Sequence, residues 1–337
     1  MLRRVVFAAL FLACVVIVLG AYVRLSDAGL GCPDWPGCYD QLSPHHAADA
    51  ISAAHAEAPQ GPVSMPKAWK EMVHRYLAAS LGLLILGIAV LTWRRRREGA
   101  PLGLVLALVG VVIFQGLLGK WTVTLLLKPA IVSGHLIGGM TTAALLAWLA
   151  CRLSGLRRIE VSPAQAWLAR SAFVALVGQV MLGGWVSTNY AALACTDLPT
   201  CHGVWWPEAD FRNAFHLVRE LGMTATGDLL SNAALTAIHL SHRLGALVAG
   251  ALIAALSIAL LRRTATRGLG ALLLAALALQ ISLGIANVLL SLPLPLAVMH
   301  NAGALLLVLV MVRINHAVRP RAVPVLRGRC LNENALA

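Results

Sequence analysis

The chain has 337 residues, of which 59% are apolar and only 12% charged, and its mean hydropathy is +0.78. A soluble domain cannot hide that much apolar surface, because its core saturates while its exterior stays wet, so the solvent of this chain is largely lipid. The net charge of +13 does not point to nucleic acid: the arginines stand in short segments between apolar runs (Arg94 to Arg97, Arg157 and Arg158, Arg262 and Arg263) and in the tail (Arg319, Arg321, Arg327, Arg329). That is the pattern of cytoplasmic loops beside membrane spans.

Arg3 and Arg4 precede an apolar run that reaches about Val23. The run is longer than a secretion-signal core and has no small-residue cleavage site before it ends, so it is read as the first membrane helix. Stretches able to cross ~30 Å of hydrocarbon follow, giving spans near 5–24, 71–92, 101–125, 131–151, 167–187, 235–261, 268–290 and 296–313. Arginine clusters lie after the second, fourth, sixth and eighth spans. A count of eight puts them all on one side and both termini in the cytoplasm. The other side receives long loops at 25–70 and 188–234 and short ones near Lys128 and Pro293.

Each long outer loop carries a cysteine pair in a shared C-x-D-x-P-x-C frame, Cys32 to Cys38 and Cys195 to Cys201, offset by 195 − 32 = 163. An oxidising outer compartment and the repetition favour disulfides Cys32–Cys38 and Cys195–Cys201 over zinc or free thiols. Cys14 and Cys151 read as small core residues, and Cys330 lies in the tail. His74-Arg75 recurs as His242-Arg243, and Gln115, Gly119 and His135 recur as Gln280, Gly284 and His300. Landmarks in one order at near-constant offset point to an internal duplication. The expected fold is therefore an all-α integral membrane protein of eight transmembrane helices in two tandem four-helix bundles, residues 1–155 and 156–337.

His74, His135, His242 and His300 each fall near the outer end of an even-numbered span, one pair per half. Ionisable residues inside spans are costly and face the bundle interior. Imidazoles on facing helices of a four-helix unit can clamp a haem iron from both sides. Gly134, Gly138 and Gly139 near His135, and Gly303 near His300, fit either a flat macrocycle or close helix packing. The halves differ at one place: Glu71, three residues before His74, corresponds to His239. A carboxylate there could move protons or stabilise a developing cation, or simply favour a helix start. Arg75 and Arg243 are candidates for haem propionates or headgroup anchoring, and His239 for a spare ligand or, more in keeping with its place, a hydrogen bond behind a ligand. His45, His46 and His55 are read as solvated.

Together, CPDWPGC in the first outer loop, E-x-x-H-R opening span two, GH in span four, HRLG in span six and MHNAG in span eight resemble the haem A synthase family of cytochrome oxidase assembly. The resemblance covers about residues 5–315. It implies oxidation of the C8 methyl of haem O to a formyl group, with water as oxygen source, in the bacterial cytoplasmic membrane. It further implies haem O as substrate between His74 and His135, Glu71 as catalytic residue, and haem b as cofactor held by His242 and His300. The implied partners are haem O synthase and an electron acceptor, with a homo-oligomer left open. The competing reading is a di-haem b electron-transfer protein or quinol oxidoreductase, which would keep two unmodified haems. A transporter fits less well, since no span is broken at mid-depth.

Overall fold

Lipid offers no partner for a backbone amide, so a long apolar run satisfies its own hydrogen bonds by closing into a helix. The computed structural model describes residues 1–156 and 158–320. Arg157 and the tail residues Arg321, Arg327, Arg329 and Cys330 lie outside the described residues. Among the described residues, eight helices are long and apolar enough to cross a membrane. They are α1 Leu2–Leu25, α2 Met65–Arg94, α3 Leu102–Thr124, α4 Pro129–Leu153, α5 Pro163–Thr188, α6 Asn232–Leu261, α7 Arg267–Leu289 and α8 Leu294–Ala317.

Prolines open the first turn of α2, α4, α5 and α8, where the missing N–H would have had no partner. Ser162 and Ser231 cap α5 and α6 by accepting the N–H of Gln165 and Ala234. The two short outer turns share one backbone form. Leu126 and Leu127 have φ of 50° and 58°, and Ser291 and Leu292, 165 residues on, have φ of 57° and 60°. Four non-glycine residues in the left-handed region are held there by close returns to the preceding helix, Leu127 N–H to Thr122 O at 2.9 Å and Leu292 N–H to Asn287 O at 2.7 Å.

In the first half α1 packs on α2 and α4, and α3 on α2 and α4; in the second, α5 packs on α6 and α8, and α7 on α6 and α8. The halves meet through α1, α4, α5 and α8. Val6, Ala9, Ile85, Ile88, Leu108, Leu146 and Leu149 form one core, and Ile253, Leu256, Leu260, Leu273, Met311 and Ile314 the other. Met140, Ala143 and Leu305 seal the seam between them. Phe11, Leu83, Val174 and Leu247 point outward with 70% or more of their surface free, which lipid tolerates and water would not. At the arginine-rich end a two-stranded parallel pair, β1 Ile159–Val161 and β2 Val318–Pro320, ties the α4–α5 connection to the end of α8.

The long loops after α1 and α5 have small cores of their own. Cys32, Cys38, Ala47, Ile51, Ala68 and Met72 cluster beneath a helix over Ala48–Glu57. In the other half Trp185 donates its indole N–H to Ala214 O at 2.9 Å, below a one-turn helix at Phe211–Ala214.

Candidate functional site

All four histidines lie deeper along their helices than expected. His74 stands nine residues past the start of α2 (74 − 65) and His242 ten past that of α6 (242 − 232). His135 and His300 stand six past the starts of α4 and α8 (135 − 129 and 300 − 294). The physical reason is that proline and serine starts extend the helices beyond the apolar stretch into the preceding loops. His74 and His135 lie near one another, as do His242 and His300.

Behind every ring lies a glycine of the preceding span. A Cβ added at Gly20, Gly119, Gly183 or Gly284 would fall 2.9, 3.4, 3.0 or 3.1 Å from Cε1 of His74, His135, His242 or His300 respectively. Gly138 and Gly303, expected to make room for a macrocycle or for helix packing, lie instead under glutamines. A Cβ at Gly138 would come within 2.7 Å of the Gln115 amide, and one at Gly303 would overlap Gln280 Oε1. Gly245 is covered in the same way by Gln179. Gln115 Nε2 donates to His135 O at 2.8 Å, and Gln179 Nε2 to His242 O at 3.0 Å. Gln280 Nε2 lies 3.4 Å from His300 Nε2. In the sequence Gln115 and Gln280 stand out only as repeated landmarks, and Gly20, Gly183 and Gln179 do not stand out at all. The available signal was Gln-x3-Gly one span before a histidine, present three times.

Both cysteine pairs form disulfides, Cys32–Cys38 and Cys195–Cys201. The aspartate of each shared frame shapes its loop. Asp34 accepts the N–H groups of Tyr39 and Asp40 at 2.7 and 2.8 Å. Asp197 accepts those of His202 and Gly203 at 2.8 and 3.0 Å and the Thr200 hydroxyl at 2.5 Å. These donors hold the Asp197 carboxyl down at about 2, the Thr200 hydroxyl first among them.

Each loop is docked on the following even-numbered span. Glu71 is buried, accepts the Cys32 N–H at 3.0 Å and pairs with Arg75 at 2.6 Å. Arg75 also donates to Asp34 O and Gly37 O. In the second half His239 Nδ1 takes the Cys195 N–H at 3.4 Å, while Arg243 donates to Cys195 O and Thr200 O at 3.1 and 2.8 Å. The two arginines therefore bind loop carbonyls, and Arg243 Nε remains buried without a partner. His45, His46 and His55 are exposed. Cys14 and Cys151 are free thiols packed among the helices.

The donor set suits a haem iron. Each half offers two imidazoles, and Nδ1 of His74, His135 and His300 is buried without a hydrogen-bond partner. Among the described residues no cluster of three or more His, Cys, Asp or Glu could enclose a metal ion, as a closed zinc site requires.

Residues 3–312 match a family described as cytochrome oxidase assembly protein. A Shewanella oneidensis protein named Heme A synthase is 44% identical over 305 residues, 89% of this chain and 92% of that protein. A Paracoccus denitrificans protein of the same name is 30% identical, covering 90% of this chain and 84% of its own length. One from Caulobacter vibrioides is 28% identical, covering 87% and 89%.

Proposed function

Because the chain belongs to the COX15-CtaA family of cytochrome oxidase assembly proteins, we propose that it is a haem A synthase, oxidising the C8 methyl of haem O to a formyl group. It does so in the cytoplasmic membrane of a bacterium, with both termini in the cytoplasm. Residues 1–155 form the substrate half, with His74 and His135 on the iron of haem O. Residues 156–337 form the relay half, with His242 and His300 on a resident haem b. Haem b there supplies one-electron transfer. The two halves descend from one duplicated four-helix unit, supported by the near-constant offset of the loops, arginines and histidines.

The reaction is two successive two-electron oxidations at one carbon. In the first, the methyl loses two electrons and a proton, and water adds to the resulting cation and gives up a second proton, leaving a hydroxymethyl group. In the second, the same loss and a second water give the aldehyde hydrate, which expels water to leave the formyl group. The electrons leave through the second half to an external acceptor. Glu71 stands one turn from His74 and receives protons released at the methyl carbon. Arg75 and Arg243, already at the outer rim, orient the propionates, and the orphaned Arg243 Nε is the donor free to do so. Haem O synthase is the partner that delivers substrate.

The observation that carries this assignment is the exchange at one structural position. Each half presents a side chain to the N–H of its first loop cysteine, and it is a carboxylate in the first half and an imidazole in the second. Only the first half has a carboxylate beside its ligand pair; the second has the His239 imidazole in its place. The test is haem analysis of membranes from a host that makes haem O, with and without the chain. Haem A appears with the chain and is lost in His74→Ala. Two unmodified haems b on the purified protein, with haem O untouched, would hand the case to the electron-transfer reading.

A further inference from the structure

A ligating histidine is held in place by what contacts its backbone and its other ring nitrogen, and losing that support weakens the metal bond. Three of the four histidines here have a glutamine of the preceding helix beside them, seated on the glycine one turn further on. Gln115 on α3 lies on Gly138 of α4, Gln179 on α5 on Gly245 of α6, and Gln280 on α7 on Gly303 of α8. Each glutamine stands four residues before the glycine behind the ring, and each covered glycine three residues after the histidine. Only glycine admits the amide, because a Cβ would overlap it. Two of the amides hydrogen-bond the histidine's own carbonyl, and the third reaches the ring. All three Oε1 atoms are buried with no partner.

The fourth pair departs from this arrangement at both positions. Four residues before Gly20 stands Val16, and three after His74 stands Leu77. Neither offers an amide. The polar neighbours Glu71 and Arg75 are engaged with the disulfide loop. No side-chain amide reaches His74, and its Nδ1 is buried without a partner. The second half is thus locked at both histidines and the first half at one.

We propose that Gln115, Gln179 and Gln280 are positioning residues that each lock one iron-ligating histidine across its helix pair, and that His74, which has no such lock, is the ligand that lets go when the first half releases its haem. This rests on the assignment of the four histidines as haem ligands. It explains how one fold keeps a cofactor in one half and exchanges a substrate in the other. Product must leave the first half at every turnover, whereas the second must hold its haem through all of them.

The experiment is haem transfer from the purified, fully loaded full-length protein to excess apomyoglobin, followed by absorbance. His135→Ala and His300→Ala assign each kinetic phase to a half. The native chain should lose first-half haem quickly and second-half haem slowly. The double variant Val16→Gln with Leu77→Gly should slow the fast phase by about tenfold or more. Gln179→Met and Gln280→Met, of similar length but without the amide, should speed the slow phase by a similar factor and alter the ferric low-spin electron paramagnetic resonance signal, which reports ring orientation. Unchanged slow-phase rates and signals in both methionine variants would overturn the proposal, as would native release from a double variant carrying two haems. If the double variant does not fold, the methionine variants decide alone. If the histidine variants keep both haems, the ligand assignment itself fails, a result separate from any glutamine effect.

Discussion

The carboxylate of Glu71 accepts the backbone N–H of Cys32 at 3.0 Å, and that one bond joins the outer disulfide loop to the helix turn that carries His74. Arg75 completes the junction from the next residue but three, bonding the carboxylate and the carbonyls of Asp34 and Gly37. The loop is therefore a lid fixed to the site by the residue proposed to do its proton chemistry. A change in either partner reaches the other.

Glu71→Gln separates the two roles. The amide keeps an acceptor for the Cys32 N–H but loses the negative charge and the ion pair with Arg75. The variant should retain its haems, while conversion of haem O to haem A falls about a hundredfold or more, the usual contribution of a positioned acid or base. Chromatography of extracted haems reads the activity, and pyridine haemochrome spectra read the content. Normal turnover in this variant would remove Glu71 from the mechanism.

Opening the first disulfide acts through that same bond. Cys32→Ser should cost about 2 kcal/mol for so short a closed loop. Its larger effect should be on rate, because the opened loop holds that backbone amide less firmly against Glu71. Activity is expected to fall before haem is lost as temperature rises. Cys195→Ser, whose partner is His239, should instead lower second-half haem retention. Parallel thermal melts by circular dichroism and by haem absorbance distinguish the two.

Asp197 gives a dependence on pH. Its carboxyl is held at about 2 by the Thr200 hydroxyl and the Gly203 and His202 amides, below the ordinary value of about 3.9 for an unfolded chain. A depressed folded value means a contribution to stability fully present above the unfolded pKa and lost as pH falls through the folded one. Asp197→Asn should therefore loosen the second outer loop at neutral pH, and native and variant should converge as pH drops from about 4 toward 2. Hydrogen exchange of the amides at 195–204 measures this directly.

The eight spans were legible because hydrophobic length alone forces them; proline and serine starts carry α2, α4, α5, α6 and α8 beyond the apolar stretch, and α1 and α8 also run on at the start and the end by three and four residues. The cysteine pairs were legible from compartment and repetition. The loop-docking role of Glu71 was not, because a hydrogen bond from Cys32, 39 residues away, has no local signature. The same is true of the loop carbonyls that Arg75 and Arg243 bind, which their sequence context did not announce. The glycines near the histidines were noticed without their partners: a glycine in a membrane helix says that something comes close, and only the fold says that it is Gln115 or Gln280.

The glycines behind the rings give the strictest packing test. At Gly183 a Cβ would stand 3.0 Å from Cε1 of His242, and at Gly20 one would stand 2.9 Å from Cε1 of His74. The imidazole must move, because the other side of the contact is helix backbone. Protein interiors transmit such a shift rather than absorb it. Gly183→Ala should accordingly cost the second half its haem and leave the first half loaded, so that the purified protein carries one haem in place of two. Gly20→Ala should do the reverse and abolish haem A formation. Haem-to-protein ratios in the two variants, compared with His242→Ala and His74→Ala, give the answer. Full loading in both would mean that the rings are freer than their glycine seats imply.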